Sequence, residues 1–260
     1  MEAGNVTEYI DVAQIALYVF FAFFAGLVYY LRREDKREGY PLENERSPHV
    51  QVRGFPNIPS PKTFKISDTE SIQAPRNGGG ADTRAIKATP SAPWHGAPLI
   101  PTGDPMLDGV GPAAYAMRSD TPDLALSGAP KIVPLRAAPS FHLESRDPDP
   151  RGMIVVGADG VAGGTVKDVW IDQSEYIIRY LEVETGEKGK TRNVLLPTTL
   201  SRISGRSREV NVNSILGAHF AKVPAHKSAD RVTRLEEDRI CAFYAGGNLY
   251  ATPARAESVM

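Results

Sequence analysis

One cysteine in 260 residues leaves no internal disulfide, and the lone thiol, Cys241, suits a small buried apolar side chain. An excess of one charge is missing as well. Thirty Lys and Arg against 31 Asp and Glu give a net charge of −1 and a pI of about 6.5. That balance argues against a nucleic-acid surface, which usually needs a strong basic excess. The five histidines, His49, His95, His142, His219 and His226, have no metal-ligand spacing, and no HExxH, HxH or CxxC occurs. There is no GxSxG elbow and no Walker loop. Gly157, Gly160, Gly163 and Gly164 do not spell a dinucleotide fingerprint and suit β-turns better. Asn5-Val6-Thr7 matches a glycosylation triplet, but a match of that length carries little. Without a nucleophile–base pair or a metal constellation, no enzyme is expected.

What is present begins with Val12–Leu31, a run with one polar amide, Gln14, and no charge. At about 1.5 Å per residue it spans roughly 30 Å, the thickness of a bilayer's hydrocarbon core. Residues 1–11 carry Glu2, Glu8 and Asp11 but no Lys or Arg, while Arg32, Arg33, Lys36 and Arg37 crowd the far end. The positive-inside rule then places residues 1–11 in the periplasm and the tail in the cytoplasm. A cleaved signal peptide would need a basic start, a shorter apolar core and a small-x-small cleavage site. The start is acidic and Tyr29-Tyr30-Leu31-Arg32 is no such site.

Eighteen of the 21 prolines fall between Pro41 and Pro150, which rules out long helices and central strands there. Apolar residues still recur, among them Phe55, Phe64, Ile66, Trp94 and Val110. Residues 32–105 are therefore expected to form a surface arm. From residue 41 it should be extended, polyproline-like and draped over another protein, with Asn77-Gly78-Gly79-Gly80 as a mobile loop. After Pro150 the pattern becomes short β-branched runs: 153–157, 165–172, 177–184, 191–197 and 208–213, punctuated by Gly163-Gly164, Gly186 and Gly205. Such spacing predicts a small antiparallel barrel or sandwich. In 177–184, Ile177, Arg179, Leu181 and Val183 face one way and Ile178, Tyr180, Glu182 and Glu184 the other. Two helices follow: a short one over Ser214–Ala221, and one capped by Thr233-x-x-Glu236, with Leu235–Tyr244 as its body and Gly246 as its stop. The expected fold is mainly β: one transmembrane helix (12–31), the arm (32–105), and a cytoplasmic barrel with short C-terminal helices (106–260).

Ionisable residues cluster in and beside that barrel: Asp168, Asp172, Glu175, Arg179, Glu182 and Glu184, with Glu236, Glu237 and Asp238 at the later helix start. A solvated charged face, plus acids favoured at a helix N-terminus, accounts for such a pattern. A chain of carboxylates relaying protons accounts for it too. Arg179, on a face with Ile177 and Leu181, should have an acidic partner.

Arg37-Glu38-Gly39-Tyr40-Pro41-Leu42-Glu43-Asn44-Glu45, Pro61-Lys62-Thr63-Phe64, Pro101-Thr102-Gly103-Asp104-Pro105-Met106 and Asp108-Gly109-Val110-Gly111-Pro112-Ala113 run in order along the chain. So do Lys131-Ile132-Val133-Pro134, Glu236-Glu237-Asp238-Arg239-Ile240-Cys241 and Tyr244-Ala245-Gly246-Gly247. Together they resemble the H subunit of the purple-bacterial photosynthetic reaction centre, whose cytoplasmic domain is a PRC-type β-barrel. The resemblance implies a single-pass protein of the bacterial inner (intracytoplasmic, chromatophore) membrane. It implies two partner subunits, L and M, that hold bacteriochlorophyll, bacteriopheophytin, carotenoid, quinones and non-haem iron, with none bound by this chain. A cytochrome subunit and an antenna ring are further partners of such complexes. The H subunit caps the cytoplasmic face, shields the quinones and conducts protons toward the secondary quinone during light-driven electron transfer.

By the same resemblance, Glu175 matches the family's glutamate near the secondary quinone. Asp172 is its neighbouring acid, Arg179 its arginine, and Glu237 an acid of the later motif. A desolvated Glu175 there would bind and pass on a proton near pH 7. Tyr30 matches part of a cardiolipin head-group contact. Where some members carry a histidine cluster that admits protons and binds transition metals, this chain reads Ala125-Leu126-Ser127-Gly128-Ala129. Entry is then left to other groups, with Asp120 and Asp123 as candidates, and no metal is expected. The alternative is a membrane-anchored PRC-barrel adaptor for a soluble partner. An adaptor has no reason to carry the arm's family blocks, and there is no basic patch for RNA.

Overall fold

A computed structural model describes residues 11–44, 47–66, 68, 71–76, 84–94, 96–186 and 190–256. The expectations for Glu2, Glu8, Asn5-Val6-Thr7, His95 and Asn77–Gly80 lie outside these residues. The chain divides into two compact units. The first runs to Arg84 and includes Trp94 and Gly96; the second takes Ala85–Pro93 and everything from Ala97 onward.

The first unit is built on helix α1, Val12–Glu34. The carboxylate of Asp11 caps it, accepting from the Gln14 backbone N–H at 2.6 Å. None of its residues is buried by the rest of the chain, as an apolar helix meant for lipid requires. Its one amide, Gln14, donates to the Tyr18 hydroxyl one turn on, at 2.8 Å. The helix carries its apolar run through Arg32 and Arg33, so the basic end is helical and completes the last turn.

The basic residues just beyond are anchors for the chain that follows. Lys36 is 1% exposed, and its ammonium donates to the carbonyls of Arg53 and Pro56 at 2.7 and 2.6 Å. Arg37 binds Glu34 at 2.8 Å and donates to the carbonyls of Ser60 and Ala74. Around these hubs lie two short antiparallel pairs: β1 (Leu42–Asn44) with β2 (Ser47–Val52), and β3 (Lys62–Lys65) with β4 (Ser71–Ala74). A third pair, β5 (Ala88–Pro90) with β6 (Leu99–Pro101), belongs to the second unit. The arm is extended as expected, but in these stretches it pairs with itself in ribbons and is not polyproline-like. Proline excludes central strands but not two-stranded ribbons, whose outer edges need no partner.

The second unit holds a seven-stranded sheet. Its strands are β7 (Ile132–Pro134), β8 (Ile154–Val156), β9 (Ala162–Asp172), β10 (Ile177–Thr185), β11 (Arg192–Pro197), β12 (Arg202–Ser204) and β13 (Glu209–Asn211). Their order is β11-β10-β9-β8-β13-β12, with β7 also paired to β9. The ladders are antiparallel except β8 with β13, which is parallel. The expected all-antiparallel sheet is corrected there, because β8 and β13 are far apart in the chain and not joined by a hairpin. The core gathers Trp170, Leu181, Val194, Leu195, Phe220, Ile240, Phe243 and Tyr244.

Two local expectations are also corrected. Gly163 and Gly164 lie inside β9 and not in a turn, for a Cβ on Gly163 would sit 2.1 Å from the Phe220 ring. The short helix after Ser214 is a 3-10 segment, Gly217–Lys222. The long one, α2, spans Arg234–Tyr250 and passes straight through Gly246. Its capping box is as expected: Thr233 Oγ accepts from the Glu236 N–H, and the Glu236 carboxylate accepts from the Thr233 N–H. Gly246 and Gly247 are there for close approach, not termination. A Cβ on Gly247 would lie 2.3 Å from the Ser214 carbonyl oxygen. Gly247→Ala should therefore destabilise the protein by about 1–3 kcal/mol despite alanine's better helix propensity. Chemical denaturation checks this, and a neutral or stabilising change would contradict the packing.

Candidate functional site

The acid cluster resolves into three sites. The first is centred on Asp172, the last residue of β9, which is fully buried. One oxygen of its carboxylate accepts from the backbone N–H groups of Ser174 and Glu175 at 2.9 and 3.0 Å, which shapes the β9–β10 turn. The other lies 3.3 Å from both the Lys131 ammonium and the Arg179 guanidinium. Burial alone would push Asp172 up; the two N–H groups and Lys131 outweigh it and hold the carboxyl below its ordinary value. Glu175, at the turn, meets the same two cations, with Lys131 at 2.9 Å and Arg179 at 3.0 Å. Its side chain is 49% exposed, so it is not desolvated within this chain. Contact with Glu175 holds Lys131 above its ordinary value.

Arg179 thus has the acidic partner its strand position called for, in fact two. Lys131 escaped sequence reasoning: it lies 44 positions from Glu175 and meets it because β7 adds to β9 beside the turn. Tyr176, the next residue, adopts φ 58° and is largely exposed, its ring 5.3 Å from that of Phe141.

The second site is Glu237 on α2. It accepts a hydrogen bond from the Tyr180 hydroxyl at 2.7 Å. Burial pushes Glu237 up, opposed by Tyr180 and by the charges of Arg118 and Arg179. Arg179 therefore acts electrostatically on both sites. Asp123, exposed, also raises Glu237 through its charge. Asp120 stands apart from this group. It pairs with Lys227 and accepts from the Thr233 hydroxyl at 2.9 Å; both contacts hold it below its ordinary value. The segment that replaces the histidine cluster is a tight turn closed by Ala125 and Ala129, with Leu126 at its exposed tip.

The third site joins Asp168 and Glu182 of the cluster through Arg136, which the sequence pattern did not single out. Alternation puts Tyr180 and Glu182 on one face of β10 and Leu181 and Val183 on the other, yet all four are buried, because both faces are covered. Glu182 accepts from Arg136 at 2.6 Å, the Trp170 indole at 2.9 Å and the Asn193 amide. Arg136 also reaches Asp168 at 3.0 Å. Burial would raise Glu182; these donors, Arg136 foremost, prevail and hold it low. The set is fully paired and borders an open cleft of about 980 Å³ that includes Lys167 and Glu184. Among the described residues, no group of three or more His, Cys, Asp and Glu side chains is placed to hold a metal.

Tyr30, near the end of α1, is half exposed, with the Lys62 ammonium 5.8 Å from its ring centre. Lys62 in turn binds Glu34 at 2.9 Å.

Two family models match the chain. One, described as the photosynthetic reaction centre H-chain N-terminal region, matches residues 4–137, just over half of it. The other, described as a PRC-barrel domain, matches residues 143–218, which contain β8–β13.

Asp172→Asn keeps the shape and removes the charge that holds Lys131, Arg179 and the turn. It should cost about 1.5–3 kcal/mol at neutral pH. Because the folded carboxyl lies below its unfolded value of 3.8, its contribution is fully present above that pH and is lost as pH falls through the folded value. The gap between variant and wild-type urea midpoints should therefore close in acid. A gap that persists unchanged there would contradict the ion-pair origin.

Proposed function

The chain belongs to the photosynthetic reaction centre H-chain family, and on that premise we propose that it caps the cytoplasmic face of its partner subunits and delivers protons toward a quinone they hold. As a reaction-centre H subunit it associates with other subunits of that complex, and α1, among the described residues the one helix long and apolar enough to cross a membrane, makes it a single-pass membrane protein. The pigments, quinones and iron are assigned to the partners. The flanking charges favour a cytoplasmic barrel domain.

The observation that carries the proton role is the Asp172–Lys131–Arg179–Glu175 cluster. Asp172 is buried and held ionised, so it serves as a fixed negative anchor and not as a carrier. It keeps two cations at the turn, and Glu175 sits between them on the accessible side. A quinone reduced nearby acquires negative charge and competes for those cations. Glu175, released from one of them and shielded from water by the partner surface, then gains proton affinity and can transfer the proton. Glu237 is the upstream carrier, since its burial already favours the protonated form. Asp123 suits entry better than Asp120, which its ion pair keeps ionised.

Tyr30 and Lys62 offer an aromatic ring and a cation at the membrane boundary, a fit for an anionic lipid head group such as cardiolipin. The adaptor alternative leaves the Glu175 cluster without a role.

Glu175→Gln keeps the shape and removes the transferable proton. In the assembled complex the second electron transfer to the secondary quinone should slow by on the order of tenfold or more, within the usual contribution of a positioned acid–base group. The first charge separation should be unchanged. Wild-type kinetics of the second transfer in an assembled variant would reject the relay and leave a structural cap.

A further inference from the structure

Tyr180 stands in the middle of β10, and its ring is buried in the barrel core. Nothing in core packing calls for a hydroxyl; phenylalanine would fill the same space. The hydroxyl crosses from the sheet to α2 and ends on the Glu237 carboxylate at 2.7 Å. A half-buried carboxylate next to a phenol has two stable arrangements. Ionised, it accepts the phenol's hydrogen; protonated, it can donate to the phenol oxygen, which also accepts. The contact therefore survives either state of Glu237 and fixes where its proton sits.

We propose that Tyr180 is a positioning residue for Glu237: its hydroxyl holds the carboxyl in place and stabilises the ionised form, so that Glu237 can give up its proton and not merely store it. The inference rests on Glu237 being a carrier in the proposed pathway, and deepens that reading.

The charged surroundings leave room for this role. Arg179, beside Tyr180 on β10, and Arg118 favour an ionised Glu237, whereas Asp123 opposes it. From α2 itself, Cys241 touches the Tyr180 hydroxyl, and burial holds that thiol protonated at neutral pH. Asp238, the next residue on α2, accepts from the Ala116 N–H at 3.3 Å and lies 3.6 Å from Arg118. The burial of Glu237 pushes it toward the protonated form, and the phenol is the neutral donor in direct contact that works the other way.

The test uses the assembled complex with Tyr180→Phe, and Glu237→Gln as the assignment control. Infrared spectroscopy follows the carboxylic C=O band that disappears in Glu237→Gln. In Tyr180→Phe that band should persist to higher pH, its midpoint rising by on the order of one unit. The fall in second-electron rate with pH should move the same way, and the band frequency should change for want of the phenol. An unshifted midpoint in Tyr180→Phe would overturn the inference, even if Glu237→Gln slows the reaction. Wild-type kinetics in Glu237→Gln would instead remove Glu237 from the pathway, while the band would still show whether Tyr180 controls its proton. If Tyr180→Phe fails to assemble where Glu237→Gln assembles, the hydroxyl is structural and the positioning role is rejected.

Discussion

A carboxylate with no access to water must be satisfied by the protein, and Asp172 is satisfied from three directions. The turn that follows supplies two N–H groups, β7 brings Lys131, and β10 brings Arg179. These contacts fix the β9–β10 turn, the docking of β7 on β9, and the face of β10 that carries Arg179. Glu175 is placed by that turn and held by the same two cations. Removing the charge at Asp172 would leave two cations at the turn facing a single half-exposed acid. Such a cluster is a weak source of net stability, because desolvating its charges costs nearly as much as their attraction returns. That is a reason to look for its value in electrostatics and proton handling instead.

The first unit follows a similar logic with backbone acceptors. Lys36 is buried, its ammonium taken up by two carbonyls and by the ring of Tyr40 at 5.0 Å. Arg37 likewise ties Ser60 and Ala74 to the helix end. The basic residues that make the helix boundary legible as a topological signal are thus also what gathers the proline-rich chain around it. Two-stranded ribbons are marginal alone, and these charged hubs are what the first unit offers them within the chain.

The sequence exposed the features that are local. An uncharged run of helix length, the Thr233–Glu236 capping box and most strands of the sheet could be read directly, because each depends on neighbours in the chain. What escaped depends on distant residues. Gly246 looked like a helix stop, since glycine's commonest helical role is at the end; only the approach of Ala113 shows why it lies inside, as that of Ser214 does for Gly247. For the cluster with Glu182 a solvated face and a carboxylate chain both stayed open, because alternation does not reveal a strand covered on both faces. Within the candidate site, Asp172, Glu175 and Arg179 do come together, and Arg179 acts on Glu237 through its charge. Lys131 was invisible, being joined to the turn by a strand pairing that no periodicity announces. The phenol of Tyr180 reads in the sequence as one more strand residue, since nothing there says that α2 presents Glu237 to it.

On the proposed reading, the Asp172 cluster faces the partner subunits and places Glu175 on the route of a proton to their quinone. A structure of the assembled complex tests this most directly. Glu175, 49% exposed in the chain alone, should become buried against the partner surface on the quinone side, still in contact with Lys131 or Arg179. A Glu175 that remains in bulk solvent, with the cluster turned away from the partner subunits, would contradict it.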